Sequence, residues 1–231
     1  MENPTLLHKL KRHYRQLTSS IIDARAATEL SRWGLPYLPW SGSALRPSAV
    51  ATIVNDIMVN QRHNAVEFGS GISTIYIARA LRDNGGTLIS FDDDADWAAI
   101  VTDLLGRTGL SDVAQVIHAP LGGCVHSHNG LQWYDETIVR RSLQSRRIDL
   151  MLADGPKAYE KGKELARYPA YPVTKDLMND RSVCILDDID RPGETDILSQ
   201  WSDLAGPGHS THNTRFGIGM LCRGAAFTTE L

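Results

Sequence analysis

Five carboxylates and one short glycine turn carry the chemistry open to this sequence. Glu67 stands two residues before Gly69-Ser70-Gly71; Asp92, Asp154 and the pair Asp187-Asp188 follow further along the chain. Two closely spaced glycines let a backbone turn tightly and approach a ligand with no Cβ in the way. A helix opening just after such a turn presents free N–H groups and a partial positive charge. The turn therefore suits a nucleotide-like ligand. A carboxylate near it can accept hydrogen bonds from ribose hydroxyls, and several converging carboxylates can hold a hard divalent cation such as Mg²⁺ or Ca²⁺.

The elements that must position these groups are legible from hydrophobic pattern. Asn64–Phe68 reads as a short buried strand, and the segment from Ile72 to Leu81 as the helix after the turn. Further strands are expected at Thr87–Phe91, Asp112–His118, Ile148–Ala153 and Ser182–Leu186, with two late ones around His209–Arg215 and Gly217–Cys222. Helices are expected at Pro47–Val59, Trp97–Leu105 and Thr195–Leu204. Strands alternating with helices imply a mostly parallel sheet covered on both faces. In such a sheet ligands bind at the carboxyl ends of the strands. Asp92, Asp154 and Asp187-Asp188 each end a strand, which sets them on one edge. A single carboxylate there is often only a helix cap or turn residue; three on the same edge point to a site.

The ligand class follows from two departures. Asp92 lies 25 positions after Glu67, a spacing that brings it beside whatever the glycine turn holds. NAD-binding turns share that arrangement, but Thr74 stands where the third glycine of GxGxxG would pack a helix beside a pyrophosphate. Glu67 would also repel a pyrophosphate, whereas it suits a cationic ligand such as a sulfonium with an amino-acid tail. With Glu67-Phe68-Gly69-Ser70-Gly71-Ile72-Ser73-Thr74, Asp92, Asp154-Gly155-Pro156 and Asp187-Asp188 in order, the chain resembles class I S-adenosylmethionine-dependent methyltransferases over roughly residues 60–222.

That resemblance implies a three-layer Rossmann-like α/β fold, a seven-stranded mostly parallel sheet with a reversed last strand, and a turn near Phe216-Gly217 to supply the reversal. It implies that Glu67, Gly69, Ser70 and Gly71 hold the methionine moiety and Asp92 the ribose. Ser73, Thr74, Asp93, Trp97 and Asp154 complete the expected cofactor-binding set. Many relatives carry an acid after the third strand for the adenine amino group; this chain has Ala119-Pro120-Leu121-Gly122, which leaves the adenine contact open. Asp154, Asp187 and Asp188 resemble the acids that hold Mg²⁺ in metal-dependent O-methyltransferases. They are the expected catalytic and metal-binding residues, a bound cation lowering the pKa of an acceptor hydroxyl. The competing reading has Asp154 capping the Gly155-Pro156 turn and Asp188 paired with Arg191.

Two other constellations stand out. Cys124, His126 and His128 alternate, yet no fourth donor accompanies them for zinc; one of the histidines could serve as a general base. The polar segment 157–169 offers Lys157, Tyr159 and Arg167 to orient an acceptor, or forms a solvated lid helix with charge pairs at Lys161 and Glu164.

At 231 residues and 42% hydrophobic, the chain suits an N-terminal helical extension, 1–45, on an α/β domain, 46–231. Leu6, Leu7, Leu10, Tyr14, Leu17, Ile21 and Ile22 follow helical spacing, and Lys9, Lys11, Arg12 and Arg15 form a basic face. The aromatic, proline-containing stretch 33–44 either docks that helix or walls a pocket. With residues 119–147 it shapes the acceptor pocket or a homodimer contact. A net charge of -3 argues against nucleic-acid partners, and no apolar run reaches membrane-spanning length. Three cysteines without CxxC spacing suit a reducing cytoplasm. A small-molecule acceptor, methylated on oxygen, is the expected substrate; an NAD(P)-dependent oxidoreductase and a non-catalytic binding module are the alternatives.

Overall fold

The computed structural model describes residues 6–214, 216–224 and 227; the side chains of residues 6–12 and 15 are outside that description. The basic face Lys9, Lys11, Arg12 and Arg15, the leucines at 6, 7 and 10, and Arg215 at the end of an expected strand therefore lie outside the described side chains or residues. Helices α1 (Leu6–Ser31) and α2 (Pro47–Asn60) precede β1 (Asn64–Phe68). Next come α3 (Ile72–Asn84), β2 (Thr87–Asp92), α4 (Ala95–Arg107) and β3 (Ala114–His118). A hairpin of β4 (Leu121–Gly123) and β5 (Gln132–Tyr134) leads to α5 (Glu136–Leu143) and β6 (Ile148–Ala153). The chain closes with α6 (Ala170–Thr174), β7 (Met178–Leu186), α7 (Pro192–Ala205), β8 (His209–Asn213) and β9 (Gly219–Arg223).

Seven strands form one sheet in the order β3-β2-β1-β6-β7-β9-β8. All neighbours are parallel except β9, which runs antiparallel to both β7 and β8. This is the Rossmann-like, mostly parallel sheet expected, its last strand reversed. Strand residues alternate between two cores, because successive side chains of a strand point to opposite faces. Ala65, Leu150, Leu152, Val183 and Ile185 pack with α2 and α3 on one face. Val66, Phe68, Met151, Ala153 and Leu186 pack with α6 and α7 on the other. Strands covered on both sides must be apolar throughout, and β6 is buried at every position.

The excursion 119–147, expected to shape the acceptor pocket or a dimer contact and given no elements of its own, folds into the hairpin and α5. Trp133 and Tyr134 turn inward and pack on Phe68, at ring separations of 5.0 and 5.6 Å. Two apolar residues among polar ones gave too short a pattern to announce a strand. Segment 157–168 does not form the lid helix that one reading expected. It runs in turns, with Gly162 at φ +88°, and its exposed ion pair joins Lys163 to Glu160, not Lys161 to Glu164.

α1 is tied down by Asp23, whose carboxylate bonds Arg46 at 2.7 Å and the Ser48 hydroxyl at 2.5 Å, the latter in the first turn of α2. α2 is anchored in turn by a fully buried ion pair between Arg62 Nε and Asp56 Oδ2 at 2.8 Å, with Arg62 Nη1 donating to the Arg181 carbonyl in β7. Removing one partner of a buried pair strands the other charge, a cost of about 3–5 kcal/mol. Arg62→Met is expected to lower unfolding free energy by roughly that amount in urea titration. A loss under about 1 kcal/mol would mean that Asp56 is not left stranded.

Candidate active site

Glu67 lies on β1 with no exposure to solvent. Its carboxylate accepts hydrogen bonds from Ser73 Oγ and Thr74 Oγ1, both at 2.6 Å, and from Ser90 Oγ at 2.7 Å. Burial pushes the Glu67 carboxyl up to about 7, while the three hydroxyls pull the other way. The group thus clasps β1, the first turn of α3 and β2 together. Thr74 Oγ1 also accepts the Gly71 N–H at 2.9 Å. The residue that replaces the third glycine therefore fastens the turn from beneath, where a dinucleotide turn would leave space.

The three consecutive aspartates divide their work. Asp92 Oδ2 accepts the Ser70 N–H at 2.8 Å and the Ser70 hydroxyl at 2.6 Å. Asp94 caps α4, accepting the N–H groups of Asp96 and Trp97 at 3.0 Å each. Asp93 is half-buried, its carboxyl raised first by burial and then by the neighbouring Asp92. Trp97 reaches back from α4, its indole N–H on the Ser70 carbonyl at 2.8 Å. Gly69, at φ +96°, could not carry a side chain: a Cβ would lie 2.9 Å from the Gly155 nitrogen. The turn after β1 and the turn after β6 are packed backbone to backbone, as only two glycines allow.

A cleft opens at this strand edge. Its lining combines Ser70, Gly71, Ser73 and Trp97 with Asp154 and with Pro39, Ser41, Ser43 and Ala44. The stretch after α1 does both things considered for it. Leu38 and Leu45 are buried in the core, and the residues between them wall the cleft.

Asp154, Asp187 and Asp188 converge, each offering an oxygen within 4.8 Å of the others. Asp154 shares a hydrogen bond with Asp187; burial first, then the Asp187 charge, holds Asp154 well above the usual carboxylate range. Asp187 is raised too, first by burial and then by Asp188. Asp188 sits at φ +60°, a region that short polar side chains tolerate best, and pairs with Arg191 at 2.9 Å. Arg167, expected to face an acceptor, instead lies inside the cluster, 4% exposed. Its guanidinium bonds Asp154 Oδ1 at 3.2 Å and Asp188 Oδ2 at 3.1 Å. Nothing in its polar surroundings in the sequence marked it for burial.

The acids are hard oxygen donors of the right kind for Mg²⁺. As folded, though, the cluster fits a divalent cation poorly, because Arg167 already bonds two of the three carboxylates. Even at an effective dielectric constant of 20, unit charges 4 Å apart repel by about 4 kcal/mol, and a divalent ion doubles that. Sequence reasoning also missed Tyr134. Its buried hydroxyl has no hydrogen-bond partner among the described residues. A Cβ on Gly155 would lie 2.1 Å from it, and its proton is held by burial and by the charges of Asp93, Asp92 and Asp154. The alternating Cys124, His126 and His128 do not gather as a metal site among the described residues. Cys124 Sγ bonds Glu136 at 3.3 Å, and the His128 ring packs on Tyr168 at 4.4 Å.

Fold and cleft place the molecule among doubly wound α/β proteins whose site lies at the carboxyl ends of the strands. A family model described as a methyltransferase domain matches residues 66–189, more than half of the chain, and the chain belongs to that family. It is a methyltransferase, which decides against the oxidoreductase and the non-catalytic module. No curated protein matches the chain. Among solved structures, the SAH-bound Podospora anserina methyltransferase PaMTH1 is similar at TM-score 0.64 and 13% identity, over 97% of this chain and 99% of that one. The Bacillus cereus O-methyltransferase in complex with SAH is similar at TM-score 0.55 and 17% identity, over 87% and 90%. The O-methyltransferase TomG from Streptomyces achromogenes, in complex with SAM, is similar at TM-score 0.54 and 15% identity, over 88% and 90%.

The raised Glu67 carboxyl has a consequence for stability. Between its ordinary value near 4.5 and about 7, the folded chain holds a proton that the unfolded chain has released. Glu67 therefore contributes a stability that falls as pH rises through that window, by up to roughly 3 kcal/mol. Glu67→Gln cannot titrate, so wild type should lose stability relative to the variant between pH 4.5 and 8. Denaturant titrations across this range check it; a constant difference between the two proteins would show that Glu67 does not titrate there.

Proposed function

We propose that the cleft binds S-adenosylmethionine and that the enzyme transfers its methyl group to a hydroxyl oxygen of a small molecule. The single observation that carries this reading is the shared lining of the cleft, which joins the glycine turn and Trp97 to Asp154. Donor-holding and acceptor-facing groups thereby meet at one opening. The SAH- and SAM-bound O-methyltransferases of the same fold support the choice of donor and of oxygen as acceptor atom.

In this reading Ser70, Gly71 and Ser73 line the methionine end of the cofactor and Asp92 takes the ribose hydroxyls. Asp93 and Trp97 flank the nucleoside, while Gly69 keeps the turn close to the strand ends. Glu67 and Thr74 act from below, holding the turn in shape instead of touching the ligand. Methyl transfer from a sulfonium is an in-line displacement, so the chief contribution of the chain is alignment of acceptor oxygen, methyl and sulfur. Such orientation is worth roughly 7–11 kcal/mol. Asp154 faces the acceptor side and, once ionised with the shared proton resting on Asp187, accepts the hydroxyl proton as charge develops on oxygen. Asp187 and Asp188 hold Asp154 in place through the Asp187 hydrogen bond and the common arginine. Residues 39–44 close the acceptor side of the cleft and exclude water from it.

The expected divalent cation on Asp154, Asp187 and Asp188 is the rival version of the same mechanism. Turnover with a hydroxyl acceptor found by screening should be unchanged in excess EDTA. Loss of turnover that Mg²⁺ restores would favour the cation. Separately, Asp92→Ala removes a charged acceptor of hydrogen bonds, a loss of about 1.5–3 kcal/mol, or roughly 10- to 100-fold in affinity. Calorimetry with S-adenosylhomocysteine checks this; unaltered affinity would remove Asp92 from the ribose site, and no binding by wild type would remove the cofactor itself.

A further inference from the structure

We infer that the guanidinium of Arg167 is the resident cation of the carboxylate cluster, filling the place that a divalent metal ion would otherwise take. The inference takes from the proposed function only the location of the cluster beside the cleft. Its experiment needs neither cofactor nor acceptor, so the two readings fail independently.

Arg167 uses four of its five N–H donors here. Nη2 donates to Asp154 Oδ1, and Nη1 to both Asp188 Oδ2 and the Asp187 carbonyl. Nε donates to the Pro156 carbonyl at 3.3 Å. One planar side chain thus joins the loop after β6 to the loop after β7, the two loops that a bridging metal would join. Glu194 lies behind it at 3.8 Å and is 1% exposed. Arg191 reaches Glu194 at 3.6 Å and Asp188 at 2.9 Å from the outer side. The cluster is therefore four acids set against two arginines, one of them at its centre.

A metal ion has two ways in, and both are unfavourable. Displacing Arg167 would leave a buried guanidinium and two main-chain carbonyls without partners. Entering beside it would set a divalent charge against a fixed positive one among carboxylates that are only partly exposed. The arginine also does what the ion could not: its directional donors hold Asp154 in one orientation toward the cleft, whereas an ion would accept any oxygen at the right distance. Arg167 is accordingly a positioning residue that acts through Asp154.

Freeing the carboxylates should create a metal site that the natural chain lacks. Mn²⁺ titration of the full-length protein, read by the loss of the free-ion electron paramagnetic resonance signal, tests it. Wild type should take up no Mn²⁺ at the cluster, even at millimolar concentration. Arg167→Met, shown to be folded by circular dichroism, should bind one Mn²⁺ at least tenfold more tightly than wild type, and Arg167→Met with Asp187→Asn should lose that gain. Stoichiometric Mn²⁺ binding by wild type that Asp154→Asn abolishes would overturn the inference. So would a folded Arg167→Met that gains nothing, the result expected of an arginine with a merely structural role. If Arg167→Met does not fold, the wild-type titration decides: absence of uptake upholds the inference and uptake at the cluster ends it.

Discussion

One buried carboxylate holds together the strand edge at which the cleft opens. Glu67 sits where no water reaches, and three hydroxyls, from Ser73, Thr74 and Ser90, converge on its two oxygens. A carboxyl group taken from water without such partners would cost several kcal/mol. With them it fixes the first turn of α3 against the ends of β1 and β2. The glycine turn then has one conformation, with Asp92 closing it through Ser70 and Trp97 bracing its outer side. A turn so preorganised need not be ordered by its ligand.

The second strand-end group works on an opposite principle. At Glu67 neutral hydroxyls quiet a single acid; at Asp154, Asp187, Asp188 and Glu194 several acids are crowded together and two arginines compensate them in part. Crowding raises the proton affinity of Asp154 and Asp187. A carboxylate of that kind is a better proton acceptor than a solvated one once it is ionised. The two groups meet across the Gly69–Gly155 contact. Strain or disorder in one turn would therefore be felt in the other, and the absence of side chains at that crossing is a condition of the two turns lying side by side.

Much of this was legible beforehand. Helix and strand periods placed β1, β2, β6, α2 and α3 within a few residues, because long amphipathic helices and fully apolar strands leave strong patterns. The acids at the strand ends were legible for the same reason: once the strands are placed, the residues that follow them share an edge. The β4–β5 hairpin was not. Three-residue strands carry almost no period, and the inward turn of Trp133 and Tyr134 depends on Phe68, far away in the chain. Asp94 and Asp92 are indistinguishable as letters, yet one caps a helix and the other closes the turn.

The sequence by itself determined the fold class, the edge at which the site lies, and the types of group available there. These depend on local pattern and on spacing along a strand–turn–helix unit, which few residues can set. Tertiary structure alone decided what each acid does. It buried Glu67 under the turn, drew Arg167 into the centre of the carboxylates, and set residues 39–44 over the cleft. Whether an acid binds a ligand, a metal or an arginine depends on which distant group arrives beside it. That is a question of charge and solvent at a point in space, and no spacing along the chain encodes it.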